Sequence, residues 1–328
     1  MRIAVDAMGG DHAPTVVVEG ALAAVDARDD LKLSLFGPAG VVSGELDRLG
    51  SDNRITVVDA PDVVGMAEPP TSALKNKKQS SIHLGLAAHA AGETDAFVSA
   101  GNTGAVMAVS LFALGRLNNI SRPSVIGLYP TLGGTTVLID VGTNVDCKPE
   151  HLAQFARMGS VYAERVLGID NPSVGLLNVG EEPGKGNEQA KATHKLLEIA
   201  TELRFIGNIE GRELLNHAAD VVVCDGFVGN VLLKFGESIS TVLPTLAKRE
   251  MARMELTPEQ QKLVGGVLRG VKDRFSYERF GGAPLLGVRG TVVIGHGGSS
   301  AEAVKNMILA ATTMVERDVA AALDAAFA

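Results

Sequence analysis

Short runs of apolar residues alternate along the chain with longer stretches in which apolar positions recur every three or four residues. Ten short runs predict strands: Ile3–Asp6, Leu31–Phe36, Ile55–Asp59, Ala96–Ser99, Val125–Tyr129, Thr136–Asp140, Val174–Asn178, Arg204–Ile209, Val221–Cys224 and Val292–Gly295. They show little polar alternation, which suits strands covered on both faces. The clearest helix runs from Pro149 to Leu167. Pro149 suits the first helical position, Leu152, Phe155, Ala156, Gly159, Tyr162, Ala163 and Val166 form one apolar stripe, and Gly168 can end it. Strands alternating with helices predict an α/β fold, with a mostly parallel sheet and helices on both faces.

The alternation breaks between Gly236 and Phe280, which reads as helix followed by helix. Within it, Thr257-Pro258-Glu259-Gln260 marks a helix start, with Thr257 as cap and Gln260 completing a capping box. Leu263, Val264, Val267, Leu268, Val271 and Phe275 then mark an apolar face. The expectation is one catalytic domain over residues 1–328, with a protruding helical arm at 236–280. No internal repeat or long linker divides it.

With 328 residues the chain can bury a core without a disulfide or structural metal. Its 30 Lys and Arg against 38 Asp and Glu give a net charge of −8, a poor match to sequence-independent nucleic-acid binding. The arm differs. Residues 248–279 hold eight Lys or Arg and five Asp or Glu, a local +3, so the remainder carries −11. A basic amphipathic helix on an acidic chain suits an anionic surface, and its apolar face also suits a second subunit. Cys147 and Cys224 stand 77 positions apart, which excludes a disulfide scaffold or Cys-rich zinc site and fits a reducing cytoplasm. The start of the chain lacks the apolar core of a signal peptide. Ala96 to Gly115 is uncharged, but Ser99, Gly101, Asn102, Thr103, Gly104 and Ser110 make it a buried strand, a turn and a helix start rather than a membrane span.

Six predicted strands run into Gly-rich polar loops that open helices: Met8 to Pro14, Ser99 to Gly104, Asp140 to Asn144, Asn178 to Asn187, Asp225 to Asn230, and His296 to Ser300. In a parallel sheet such loops share one edge, where helix N-termini offer unpaired N–H groups to an anion. Several mechanisms fail. Gly180 to Gly186 has the wrong glycine spacing for a P-loop, and Gly186 stands where a Ser or Thr would hold magnesium. No dinucleotide fingerprint, GxSxG elbow or HExxH pair is present. Both cysteines adjoin aspartates and lack the electropositive setting of a reactive thiolate. Chemistry that needs an anion site but no protein nucleophile fits: phosphate attacking a thioester, with the protein aligning phosphate and stabilising the oxyanion.

These same residues carry a resemblance. Val5-Asp6-Ala7-Met8-Gly9-Gly10-Asp11-His12-Ala13-Pro14 resembles the N-terminal signature of the acyl-carrier-protein:phosphate acyltransferases. The likeness continues through Glu68-Pro69-Pro70, Lys77-Lys78-Gln79-Ser80-Ser81, Ser99 to Ala105, Leu138 to Gly159, Val174 to Glu188, Phe205 to Arg212, Val221 to Asn230, Tyr277 to Gly287 and the His296 loop. It implies a bacterial enzyme moving a long acyl chain from acyl carrier protein to inorganic phosphate. The acyl phosphate would feed a membrane glycerol-3-phosphate acyltransferase that starts phospholipid synthesis. It also implies a three-layer α/β/α sandwich with a ten-stranded mixed sheet, like phosphotransacetylases and isopropylmalate dehydrogenases, and a cytoplasmic homodimer associated peripherally with membrane. No cofactor is implied. Two positions depart from the pattern: Thr143 stands where Ala is usual, and Gly298 where a Ser pair usually begins. The arm is also shorter than is usual in that family.

On this basis Asn102 and Thr103, with Lys185 and Asn187, are expected to hold phosphate or the oxyanion. Gly101 and Gly104 let backbone approach. His12 or His296 is expected to donate to the carbonyl or protonate the leaving thiolate. Asp140, Asn144, Asp225, Gly226 and Ser299 complete the expected binding loops. Asp6, Asp140 and Asp225 would orient lysines or cap helices, and no metal site is expected. Two other readings stay open: a phosphotransacetylase acting on acyl-CoA, and a non-catalytic scaffold binding acyl groups or carrier protein at the membrane. The arm would meet an anionic membrane, the acidic carrier protein or a second subunit.

Overall fold

The computed structural model describes residues 1–254, 256–274 and 279–328. Phe275, the last position of the expected apolar face, and Tyr277, which opens one block of the resemblance, lie outside the described residues.

Among the described residues, eleven strands form one sheet: β1 (Arg2–Asp6), β2 (Lys32–Gly37), β3 (Ile55–Asp59), β4 (Ala96–Ser99), β5 (Ser124–Pro130), β6 (Thr135–Ile139), β7 (Ser173–Asn178), β8 (Arg204–Glu210), β9 (Val221–Val223), β10 (Ala283–Leu286) and β11 (Val292–Ile294), in the order β3-β2-β1-β4-β11-β10-β5-β6-β9-β7-β8. Ten were expected from the sequence. The eleventh, β10, is four residues long, carries Pro284 and follows Gly281-Gly282, so locally it reads as loop.

The helices are α1 (Thr15–Ala27), α2 (Ala39–Leu49), α3 (Pro70–Asn76), α4 (Ser81–Ala90), α5 (Thr103–Ala113), α6 (Pro149–Tyr162), α7 (Glu188–Glu198), α8 (Gly226–Arg253), α9 (Pro258–Arg274), α10 (Ala301–Glu316) and α11 (Val319–Ala326). Strand residues alternate between two apolar cores. Ile3 and Val5 belong to one core, which also takes residues of α1, α6 and α10, while Ala4 belongs to the other, with residues of α4 and α5. Val137 and Ile139 join the first core and Leu138 the second. A sheet with both faces buried gives three layers, as the unbroken apolar runs predicted. The stripe from Pro149 is helical to Leu167, its last turn widened to a π-turn, and Gly168 closes it at φ 70°.

Strand direction is where the expectation of a single ligand-binding edge fails. β1, β2, β3, β4 and β11 are mutually parallel. β10 pairs antiparallel with β11 and β5, and β5 antiparallel with β6. The group β6, β9, β7 and β8 is parallel within itself and therefore runs opposite to the first. The six loops thus leave from opposite edges, three from each.

The helical pair also begins earlier than expected. α8 starts at Gly226 and runs 28 residues, about 42 Å at 1.5 Å per residue. Its first turns lie over the sheet, and its far end packs with α9, which has no buried residue. Thr257 N–H donates to Gln260 Oε1 (2.9 Å) and Gln260 N–H to Thr257 Oγ1 (3.4 Å), the expected capping box.

Candidate active site

At the ends of β1, β4 and β11, three loops interlock. The Asp6 carboxylate is buried and accepts from Ser99 Oγ (2.6 Å) and Met8 N–H (3.1 Å). Burial pushes its pKa up against the lowering effect of its Ser81, Ser99 and Met8 hydrogen bonds. Asp11 N–H donates to Gly297 O (2.7 Å), and Gly101 N–H to Ser99 Oγ (3.0 Å). Asn102 is fully used. Its Oδ1 accepts Ala105 N–H (3.0 Å) as N-cap of α5, and its Nδ2 reaches the carbonyls of Gly65 (3.1 Å), Met66 (3.0 Å) and Glu68 (2.8 Å). Asn102 therefore pins a neighbouring loop. Thr103 beside it is exposed, and Gly104 packs on Pro70. Buried Ser299 donates to His296 O (2.6 Å). His296 is exposed, and its Nδ1 accepts Gly298 N–H (3.1 Å), so the neutral ring carries its proton on Nε2. His12 is exposed and borders a small gap between these loops with Gly10, Ala100 and Gly297.

The second group of loops is built around backbone N–H groups captured by carboxylates. Asp140, with no exposed surface, accepts from the N–H groups of Gly142 (2.7 Å), Thr143 (2.7 Å) and Asn144 (3.1 Å) and from Asn144 Nδ2 (2.6 Å). Burial still pushes its pKa up. Asn144 also donates to Pro123 O (2.8 Å), and its own carbonyl accepts Gly226 N–H (2.9 Å). Asp225 caps α8 through Phe227 N–H (2.9 Å) and accepts Cys147 N–H (2.7 Å). Burial raises its pKa, but these bonds outweigh it and hold the carboxyl below the usual range. The three aspartates thus organise turns, and none is paired with a lysine. Burial, with Asp225 adding to it, pushes the Cys147 thiol up to about 12, and burial drives Cys224 up as well.

Lys185 is half exposed, with Nζ 3.9 Å from Glu182 Oε1. Asn187 caps α7 through Ala190 N–H (2.8 Å). Both leave the sheet with β7, from the edge opposite Asn102, and the expected grouping of Asn102, Thr103, Lys185 and Asn187 is not formed. The reversal of strand direction is the cause.

The two edges nevertheless approach at the centre. Leu285 of β10 pairs with both Val292 and Val125, so the row containing the start of β11 continues toward Asp140. β11 ends two residues further on, at Ile294, about 7 Å along the strand. Over these short strands lies a cleft of about 340 Å³, lined by Thr103 and His296 from one group and by Gly142, Thr143, Asn230 and Lys234 from the other. On the opposite flank of α8 a larger cavity, about 590 Å³, is lined chiefly by apolar side chains such as Leu152, Val231 and Phe235, with Asn187 and Asp225 at its rim. Asn230 and Lys234 were not anticipated. Their i, i+4 spacing at the start of a helix was the available signal. Among the described residues, no three His, Cys, Asp or Glu side chains gather as a metal site.

The three-layer α/β/α fold, with two opposed strand groups and a cleft where they meet, is a fold found in phosphotransacetylases. The same fold occurs in a phosphotransacetylase from Streptococcus pyogenes (TM-score 0.65, 18% identity, 96% of this chain and 94% of that one) and in EutD phosphotransacetylase from Staphylococcus aureus (TM-score 0.60, 17% identity, 97% and 94%). Residues 1–322 match the family described as "Fatty acid synthesis protein". The chain is 56% identical to the phosphate acyltransferase of Salinibacter ruber, over 99% of this chain and 97% of that protein. It is 46% identical to the phosphate acyltransferase of Desulforamulus reducens, over 98% and 96%. The chain belongs to the phosphate acyltransferase family and is an acyltransferase.

Proposed function

We propose that the protein transfers a long-chain acyl group from acyl carrier protein to inorganic phosphate, giving acyl phosphate for phospholipid synthesis. The observation that carries this reading is the central cleft, where the N-terminus of α5 at Thr103 faces the Gly142 loop across the row of short strands and His296 borders both. The first N–H groups of α5 suit an anion. A phosphate oxygen attacks the thioester carbonyl, the new C–O bond forms and the C–S bond breaks. Hydrogen phosphate supplies the proton that ends on the departing thiol, so no net proton is consumed. In this reading His296 donates to the developing oxyanion. Both cysteine thiols are buried and pushed up in pKa, which disfavours a covalent acyl-cysteine step.

The test is direct: purified protein with palmitoyl-carrier protein and phosphate, under chelation, should form acyl phosphate. Phosphate-independent thioester loss, or none, rejects the reading; preferential use of palmitoyl-CoA would replace the carrier-protein donor with a coenzyme A donor.

The arm is assigned to partners. Exposed Leu263, Val267 and Val271 on α9 lie among basic residues, which suits a homodimer contact or peripheral attachment to anionic cytoplasmic membrane, where a glycerol-3-phosphate acyltransferase would consume the product. No described helix is long and apolar enough to cross a membrane. Salt-sensitive co-sedimentation with anionic vesicles, lost on Val267→Asp/Leu268→Asp in a variant that stays dimeric, supports attachment. No binding at low salt leaves the arm as a subunit contact or carrier-protein dock.

A further inference from the structure

Of the described residues lining the central cleft, Lys234 alone carries a permanent positive charge. We infer that Lys234 is the cation that holds the acceptor phosphate, with Asn230 one turn before it as a neutral donor. This inference rests on the reading that phosphate is the acyl acceptor.

Three observations support it. First, the rotation of α8 is fixed. Gly229 meets the carbonyl of Asp140 and Gly236 meets the Tyr129 ring, so the face carrying both glycines is pressed on the sheet. Residues 230 and 234 then turn to the cleft, and 231 and 235 to the apolar cavity on the other flank. Packing thus fixes the side of the helix from which the half-exposed Lys234 side chain leaves. Second, Lys234 Nζ lies 2.8 Å from Glu237 Oε2, and both residues line the cleft. The pair restrains the ammonium near the cleft while leaving two of its three N–H donors for a dianion. Third, Lys185 does not line the cleft: it follows β7, two strands away from β6 in the sheet, and its partner within 4 Å is Glu182. The N-terminus of α5 and the Gly142–Thr143 turn complete the cleft from the far side.

Initial-rate kinetics with varied phosphate, on variants whose circular dichroism matches the wild type, test the inference. Lys234→Ala should raise the phosphate KM by roughly ten- to a hundredfold, the range for losing a charge-assisted hydrogen bond, and leave the KM for the acyl donor within about twofold. Lys234→Arg should restore much of the loss, and Lys185→Ala should leave the phosphate KM as in the wild type. A phosphate KM within twofold of wild type in Lys234→Ala, or the same rise in Lys185→Ala, overturns the inference. Calorimetric titration with inorganic phosphate separates this from the function proposed above. If the wild type binds phosphate but turns over no thioester, that function fails while Lys234 is still judged by whether its Ala variant abolishes the heat; a wild type that binds no phosphate overturns both.

Discussion

Gly229 of α8 lies against the main-chain carbonyl of Asp140, so close that a methyl group there would overlap the carbonyl oxygen. The helix that carries Asn230 and Lys234 is thereby seated directly on the turn that shapes the opposite wall of the cleft. Gly229→Ala must push helix and turn apart. It should cost about 1–3 kcal/mol, the usual range for overpacking, and lower kcat/KM beyond what the stability loss explains. Gly265→Ala on α9 is the contrast. Nothing lies within 4 Å of the added methyl, and the change should raise helix content without loss of activity. Urea midpoints and steady-state rates on both variants check the pair.

The two cysteines should be chemically silent in the folded protein. Both are nearly fully buried, and their thiols are driven upward by burial, with Asp225 and Asp140 adding to it. Iodoacetamide at pH 8 should label neither until denaturant is added, and Cys147→Ala should keep acyl transfer within about threefold, because a buried non-nucleophilic thiol contributes packing only. Fast labelling with loss of activity would put a thiolate into the mechanism.

Asp225 makes stability depend on pH with a defined sign. Its folded pKa lies below the ordinary 3.8, held there by the Cys147 and Phe227 N–H groups. Such a group adds stability above its unfolded pKa and loses it as pH falls through the folded value. Wild type and Asp225→Asn should differ most near pH 7, and the gap in their denaturation midpoints should narrow below about pH 4. A gap that widens in acid would contradict the role of those N–H groups.

Much of this architecture was legible in the sequence because burial on both faces writes itself as unbroken apolar runs. The strand at Thr136–Asp140, the helix from Pro149 and the Thr257–Gln260 cap needed only local rules. Strand direction left no local mark. Val221–Val223 reads the same whether it runs with β4 or against it, and the β10 strand that reverses the sheet hides behind Pro284 and two glycines. The candidate site inherited both limits. Thr103 and His296 were found as loop residues and do share the cleft, but Lys185 was grouped with them on the assumption of one edge. Asn230 and Lys234 could be placed only once α8 had a fixed rotation, which the glycines of its buried face determine.

Asn102 offers the sharpest separation of structural from chemical roles, since the sequence made it a candidate for the phosphate site. Its Oδ1 caps α5 and its Nδ2 meets three carbonyl oxygens, so every polar atom of the side chain is engaged. Asn102→Ala should destabilise the fold by about 2 kcal/mol or more, from a lost cap and stranded carbonyls. Its effect on the phosphate KM should follow stability and vanish at low temperature. Asn102→Asp should be worse at neutral pH, because the substitution keeps the cap but sets a carboxylate oxygen against three carbonyl oxygens. Burial and those carbonyls favour the protonated acid, whose single O–H can donate to one of them. Part of the lost stability should therefore return as pH is lowered toward 5, opposite in sign to the Asp225 effect. If Asn102→Ala instead folds with wild-type stability and raises the phosphate KM tenfold, the side chain touches substrate and its role as a loop pin is wrong.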